Sequence, residues 1–255
     1  MNKTICIVLC INILLVVSYG MAILKTGNPL RWDQAKPYLN YVRKHGIEQF
    51  LLHYKNKISY KSNNFYWGDE IEVGIFTKDE DSNRFELSDS GTRIIDELNE
   101  EETNDKNKLW CDYQPEYGAW MVESVPSSPY GGTIGDLMLV EKNMKLRRNR
   151  LNSKLLPTER APSMSNFPMM GVDGYKHTNN KNGAISNSDY ISDEIINPHP
   201  RFGTLTRNIR MRRNGNVDIR LKDENGDKDV HMDAMAFGMG CCCLQVYILN
   251  FFYQS

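Results

Sequence analysis

The sequence has little of what would commit it to a simple class. It holds only 5 histidines and 6 cysteines in 255 residues, and its formal net charge is -1. So even a balance excludes the charge footprint of a dedicated nucleic-acid binder and the self-repelling composition of a disordered tail. After position 20 there is no apolar run long enough to span a bilayer, so no membrane partner is expected of the main body. The cysteines show no C-x-x-C pair: Cys6 and Cys10 lie near the N-terminus, Cys111 stands alone, and Cys241, Cys242 and Cys243 are consecutive. That pattern lacks zinc-ligand spacing, makes a poor disulfide framework and fits a reducing compartment.

Residues 1–20 differ from the rest. Lys3 precedes an apolar run from Ile5 to Val17, broken only by Asn12, and Ser18-Tyr19-Gly20 follows. This reads as a short secretory signal or, alternatively, as an extension upstream of a start at Met21.

Apolar positions Ala35, Leu39 and Val42 recur at helical spacing up to a stop at Gly46, and Ile47, Phe50, Leu51 and Tyr54 mark a second helical face. Glu70 to Phe76 alternates as a strand, with Ile71, Val73 and Ile75 on one face and Glu70 and Glu72 on the other. Trp120 to Glu123 reads as another strand. Thr133 and Asp136 form a capping-box start to a long helix ending near Leu156, with Ile134, Leu137, Met138, Met144 and Leu151 on its buried side. Glu141 falls on that stripe and needs a basic partner, for which Arg148 is a candidate. Two Asn-Gly pairs between Asn214 and Asp229 suggest tight turns between strands. The elements lack a regular βαβ rhythm, so the fold class expected is α+β: an antiparallel sheet with flanking helices.

Two carboxylates side by side on a strand repel each other unless a cation lies between them, and an all-oxygen set suits a hard divalent cation. Glu116 and Glu123 form a second acidic pair, but a spacing of seven puts them on opposite faces of one regular strand. A bulge at Gly118 is one way to bring them together. Taken alone, an alternating strand reads first as a half-solvated sheet face.

Blocks in a fixed order change that weighting. Trp67-Gly68-Asp69-Glu70-Ile71-Glu72, Pro115-Glu116-Tyr117-Gly118, Met121-Val122-Glu123 and Pro129-Tyr130-Gly131-Gly132 are followed by Val140-Glu141, Arg147-Arg148 and His199-Pro200-Arg201-Phe202. Thr204 to Arg210, then Met232-Asp233-Ala234-Met235, Phe237 to Gly240 and Cys242 to Val246 complete the series. The series resembles the eukaryotic glutamate–cysteine ligase catalytic subunit, beginning at Met21 and running to Val246. The resemblance implies three segments: a signal-like or upstream 1–20, the N-terminal part of a ligase catalytic domain at 21–246, and an unaligned tail at 247–255.

The resemblance further implies a glutamine synthetase-like fold, here incomplete, whose glutamates hold Mg2+. By position these are Glu70, Glu72, Glu116 and Glu123. It implies ATP-dependent joining of the L-glutamate side-chain carboxylate to L-cysteine through a γ-glutamyl phosphate, the first step of glutathione biosynthesis. Substrate contacts are implied at Met239, Cys241 and Gln245, and no residue is assigned as catalytic acid or base. The alternative for Cys241 to Cys243 is small apolar side chains on a strand. A smaller modifier subunit is an implied partner, and the implied location is cytoplasmic, or secreted if residues 1–20 act as a signal.

Several features depart from the family. Met169 stands where arginine is usual and Val172 where cysteine is usual. Members run well over twice this length and carry further metal-, nucleotide- and glutamate-binding residues in the additional part. The expectation is therefore a truncated, inactive ligase; the alternative is a non-catalytic fragment or exported binding protein. The run Arg201 to Arg213 is expected to be structural or substrate-steering rather than an RNA site.

Overall fold

A computed structural model describes residues 27–58, 65–104, 110–215, 218–224 and 226–249. The signal-like residues 1–20 lie outside the described residues, as do residues 250–255. In chain order the elements are α1 (Trp32–Ala35), α2 (Leu39–Lys57), β1 (Tyr66–Gly74), β2 (Phe76–Asp79), β3 (Arg84–Leu87) and α3 (Gly91–Asn104). Next come β4 (Cys111–Pro115), β5 (Met121–Pro126), α4 (Ile134–Ser153) and β6 (Glu159–Arg160), then α5 (Pro200–Arg213), β7 (Asp218–Asp223), β8 (Gly226–His231), α6 (Ala236–Met239) and β9 (Leu244–Leu249).

Among the described residues all the strand pairs are antiparallel, and they form three sheets, ordered β4-β5-β1-β9, β3-β2-β6 and β7-β8. The class is therefore the mixed one expected, helices with antiparallel sheets. β9 is an edge strand pairing with β1 from Tyr66↔Leu249 to Ile71↔Leu244, so one strand runs through the boundary between residues 246 and 247.

Alternation in β1 decides where the core sits. Val73, with Val122 opposite it, packs on Ile94, Ile95 and Leu98 of α3 and Leu151 of α4. Each of these side chains contributes about 1.5–3 kcal/mol by leaving water. On that same side Asp69, 2% exposed, pairs with the buried Arg147 of α4, which also donates to the Ser124 carbonyl oxygen at 2.6 Å. The opposite face of β1 carries Glu70 and Glu72. A second cluster includes Phe76, Tyr117, Trp120, Met121 and Phe167.

The capping box is present: Thr133 Oγ1 accepts from the Asp136 amide at 3.2 Å and the Thr133 amide donates back to the Asp136 carboxylate at 3.0 Å. The buried stripe of α4 differs from the sequence expectation. Ile134, Leu137 and Met138 are exposed; Leu151 is buried as expected, but Asn143 and Arg147 face inward with it, because the Asp69 carboxylate pairs with the arginine under the sheet. Glu141 is exposed and pairs with Lys145 at 2.5 Å, while Arg148 bonds the Ala161 carbonyl oxygen instead.

Gly46 does not stop a helix; α2 continues through it to Lys57. Of the two Asn-Gly pairs, the first caps α5, with Asn214 left-handed at φ 54, and the second falls at the β7-β8 hairpin, where Gly226 has φ 112. The arginines of α5 pin the chain. Arg210 donates to the carbonyl oxygens of Asp233 at 2.6 Å and Asn187 at 2.8 Å, and Arg212 lies over the Trp32 ring at 4.8 Å. Among the described residues no helix is long and apolar enough to cross a membrane.

Candidate metal centre

The open face of the four-stranded sheet gathers the acidic side chains. Glu72 on β1 and Glu123 on β5 are register partners, so their side chains rise from the same face at adjacent positions. Glu116 arrives differently from the bulged strand the spacing suggested. It sits after β4 ends at Pro115 and before β5 begins at Met121, in a reversal closed by the Met121 amide donating to the Gly118 carbonyl oxygen at 3.0 Å. Gly118 is required there, because a Cβ would lie 2.6 Å from the Trp120 indole. A turn between antiparallel strands thus does what one regular strand could not.

One carboxylate oxygen each from Glu72, Glu116 and Glu123 lies within 4.8 Å of the other two. Oxygens across a magnesium ion stand about 4.2 Å apart, twice a metal–oxygen distance of about 2.1 Å. Only a small closure separates the trio from that span. Glu70 shares the face and stands close enough to feel Glu72 and Glu116, but lies outside the trio.

Backbone and side-chain donors orient two of the three. Glu72 accepts from the Cys243 amide at 2.9 Å and from Gln245 Nε2 at 2.6 Å, and Glu116 accepts from the Tyr117 amide at 3.1 Å. Burial, then a hydrogen bond with Glu116, then repulsion from Glu70, Glu116 and Glu72 push the Glu123 carboxyl up to about 9. Burial and the Glu72, Glu116 and Asp69 charges raise Glu70 as well. Acidic groups are thus concentrated, and among the described residues the charges that act on Glu70 and Glu123 are all acidic. The set consists of oxygens alone and fits a hard divalent cation.

Of the three residues expected to touch substrate, Gln245 reaches the cluster, opposite Glu70 and bonded to Glu72. Met239 ends α6 and is 42% exposed, and Cys241 is half-buried in the link to β9; the hydrogen bonds to Glu72 come from Cys243 and Gln245 instead. The triple cysteine precedes the strand rather than lying on it, and burial first, then the Glu72 charge, pushes the Cys242 thiol up to about 12, so it stays protonated. Two residues escaped the sequence reading. Gln114 pairs with Glu123 across β4 and β5, a position the alternation of Cys111 to Pro115 places on the polar face. Cys243 supplies a backbone amide, which no side-chain pattern reveals.

Comparison with known proteins agrees with the ordered blocks. The family model described as glutamate-cysteine ligase matches residues 21–225 and 220–250. The glutamate–cysteine ligase catalytic subunit of Rattus norvegicus is 37% identical over 255 aligned positions, covering 89% of this chain and 40% of the relative. The glutamate–cysteine ligase of Dictyostelium discoideum is 34% identical, with 88% and 41% covered, and that of Saccharomyces cerevisiae is 31% identical, with 89% and 40% covered. The chain spans about 40% of the length of these curated relatives. On the match of most of its length to that model, the chain belongs to the glutamate–cysteine ligase family.

Proposed function

We propose that the open face of the sheet is the metal-binding part of a ligase site. There L-glutamate is joined through its side-chain carboxylate to L-cysteine at the expense of ATP, giving γ-glutamylcysteine, with residues 21–246 as the N-terminal part of the catalytic domain. The observation that carries this reading is the convergence of Glu72, Glu116 and Glu123 within 4.8 Å in a chain of this family. Glu70 is assigned as a further ligand on the same face.

A bound Mg2+ would neutralise phosphate oxygens and hold them in line, the main requirement of phosphoryl transfer. The chain's own part is orientation. Gln245 and the Cys243 amide fix the Glu72 carboxylate, and the Tyr117 amide fixes Glu116. Burial keeps water from screening the group, which strengthens its hold on a cation. Met239, Cys241 and Gln245 line the approach to the amino-acid substrates in this reading. A glutamine synthetase-like funnel, a smaller modifier subunit of the kind the relatives' name "catalytic subunit" invites, and a cytosolic location belong to the same proposal.

Calorimetric titration with Mn2+, a spectroscopically useful stand-in for Mg2+, tests the site. Binding that is lost in Glu72→Gln and Glu123→Gln supports the assignment; unchanged binding in both refutes it. For the reaction, this chain alone is expected to form no γ-glutamylcysteine from glutamate, cysteine and ATP, since it spans about 40% of the relatives' length. In a full-length ligase of the family, Mg2+-dependent formation abolished by glutamine at the position matching Glu123 is the supporting result. ADP release that needs neither amino acid contradicts it.

A further inference from the structure

A cavity of about 970 Å³ lies apart from the glutamates, between the β3-β2-β6 sheet, the C-terminal half of α4 and the segment that follows β6. Its walls are mainly apolar, among them Phe76, Leu155, Met164 and Phe167. The size suits a small organic ligand, since such sites occupy roughly 300–1,000 Å³. The polar groups on the wall are not equivalent. Glu159 is 2% exposed and fully engaged: Ser88 and Ser90 hydroxyls donate at 2.8 and 2.6 Å, the Leu156 amide at 2.8 Å, and Arg93 pairs with it at 3.2 Å. Its charge is therefore compensated from outside the cavity.

Arg148 is different. It projects from α4, is half-buried, and donates to a neutral acceptor, the Ala161 carbonyl oxygen. Among the described residues no carboxylate forms an ion pair with it, and burial alone pushes the pKa of its guanidinium down, with no acidic group offsetting the shift. Arg160, also on the wall, turns to the carbonyl oxygens of Pro157 at 2.7 Å and Glu159 at 2.6 Å. A half-buried guanidinium facing an apolar cavity without a counter-ion is costly unless an anion completes it.

We propose that this cavity binds an amphipathic monocarboxylate, its apolar body packed among Phe76, Leu155, Met164 and Phe167 and its carboxylate on Arg148. Charge complementarity selects the class. Arg160 also lacks an ion pair but is exposed, so Arg148 is the half-buried cation without a counter-ion. It matches one negative charge, its fork of donors matches a carboxylate, and the Glu159 carboxylate on the same wall disfavours a second ligand charge. An uncharged alcohol of the same length would leave Arg148 as it is.

Calorimetry with decanoate, decanol and decyl phosphate tests the assignment on the full chain. Decanoate is expected to bind best, and Arg148→Gln to weaken decanoate about tenfold or more without changing decanol, because a hydrogen bond to a charged group is worth that factor. Arg148→Lys should keep part of the preference. Since Arg148→Gln also touches Ala161, Met164→Glu serves as a second probe. It places a carboxylate at a partly exposed wall position and should abolish decanoate binding while leaving Mn2+ binding at the glutamates intact. Equal affinity for decanoate and decanol overturns the proposal, as does decyl phosphate binding tighter than decanoate, or Arg148→Gln and Met164→Glu both leaving decanoate binding unchanged.

Discussion

Replacing Glu123 by glutamine should stabilise the metal-free protein at neutral pH and remove its response to divalent cations. The Glu123 carboxyl ordinarily titrates near 4.5 and is pushed up to about 9 by burial, the Glu116 hydrogen bond and its acidic neighbours. The folded state therefore holds a proton that the unfolded chain gives up between those values, and stability falls as pH rises through that window. Below 4.5 there is no cost, and above 9 it is complete. At about 1.4 kcal/mol per unit, the cost accumulated by pH 7 is roughly 3 kcal/mol. Glutamine resembles the protonated acid in shape and charge, so it escapes that cost. For a chain of this size the gain is about 6–12 °C in melting temperature. The assay is thermal unfolding from pH 5 to pH 9 in EDTA, repeated with excess Mg2+ or Mn2+. The parent should lose stability towards alkaline pH and recover it when a cation is added; Glu123→Gln should be flatter with pH and indifferent to the cation. A variant less stable than the parent at pH 8 in EDTA would refute the reasoning, as would one that the cation still stabilises.

Other consequences concern the scaffold. Asp69→Ala leaves the Arg147 charge buried without its partner and should cost about 3–5 kcal/mol in urea unfolding, while Asp69→Leu combined with Arg147→Met should recover much of it. Gly91→Ala brings a methyl to 2.5 Å from the Ala119 carbonyl oxygen and 2.8 Å from that of Met121; both are backbone atoms, so a loss of about 2 kcal/mol or more is expected by the same measurement. Thr133→Ala removes the N-terminal cap of α4 and should cost about 1 kcal/mol.

The sequence made some of this visible for physical reasons. β1 was legible because period two separates Glu70 and Glu72 from Ile71 and Val73 without reference to anything else, and the α4 cap because Thr133 and Asp136 are local partners. The convergence of Glu116 on Glu123 was not legible from periodicity. It depends on a reversal between β4 and β5, whose geometry is set by Gly118 lying against Trp120. The inward face of α4 was misread because a helical stripe is counted in apolar residues, whereas here a long-range charge, Asp69, selects Arg147. The exposed apolar residues of α2, Phe50 and Ile47 among them, show the same limit: spacing defines a face but not what meets it.

The register of β1 against β5 makes chain length in this strand a matter of parity. A single residue inserted between Glu70 and Ile71 would exchange the faces upstream of it, turning Asp69 to the open side and sending Glu70 towards Arg147. Two inserted residues would restore every face and only displace the pairing. Odd changes in length should thus be excluded from this strand while even ones are merely costly, and changes of either kind should collect in connections such as that between β7 and β8. A pair of insertion variants, one residue against two between Glu70 and Ile71, separates the outcomes by urea unfolding, since the odd insertion alone takes Asp69 from the side that holds Arg147.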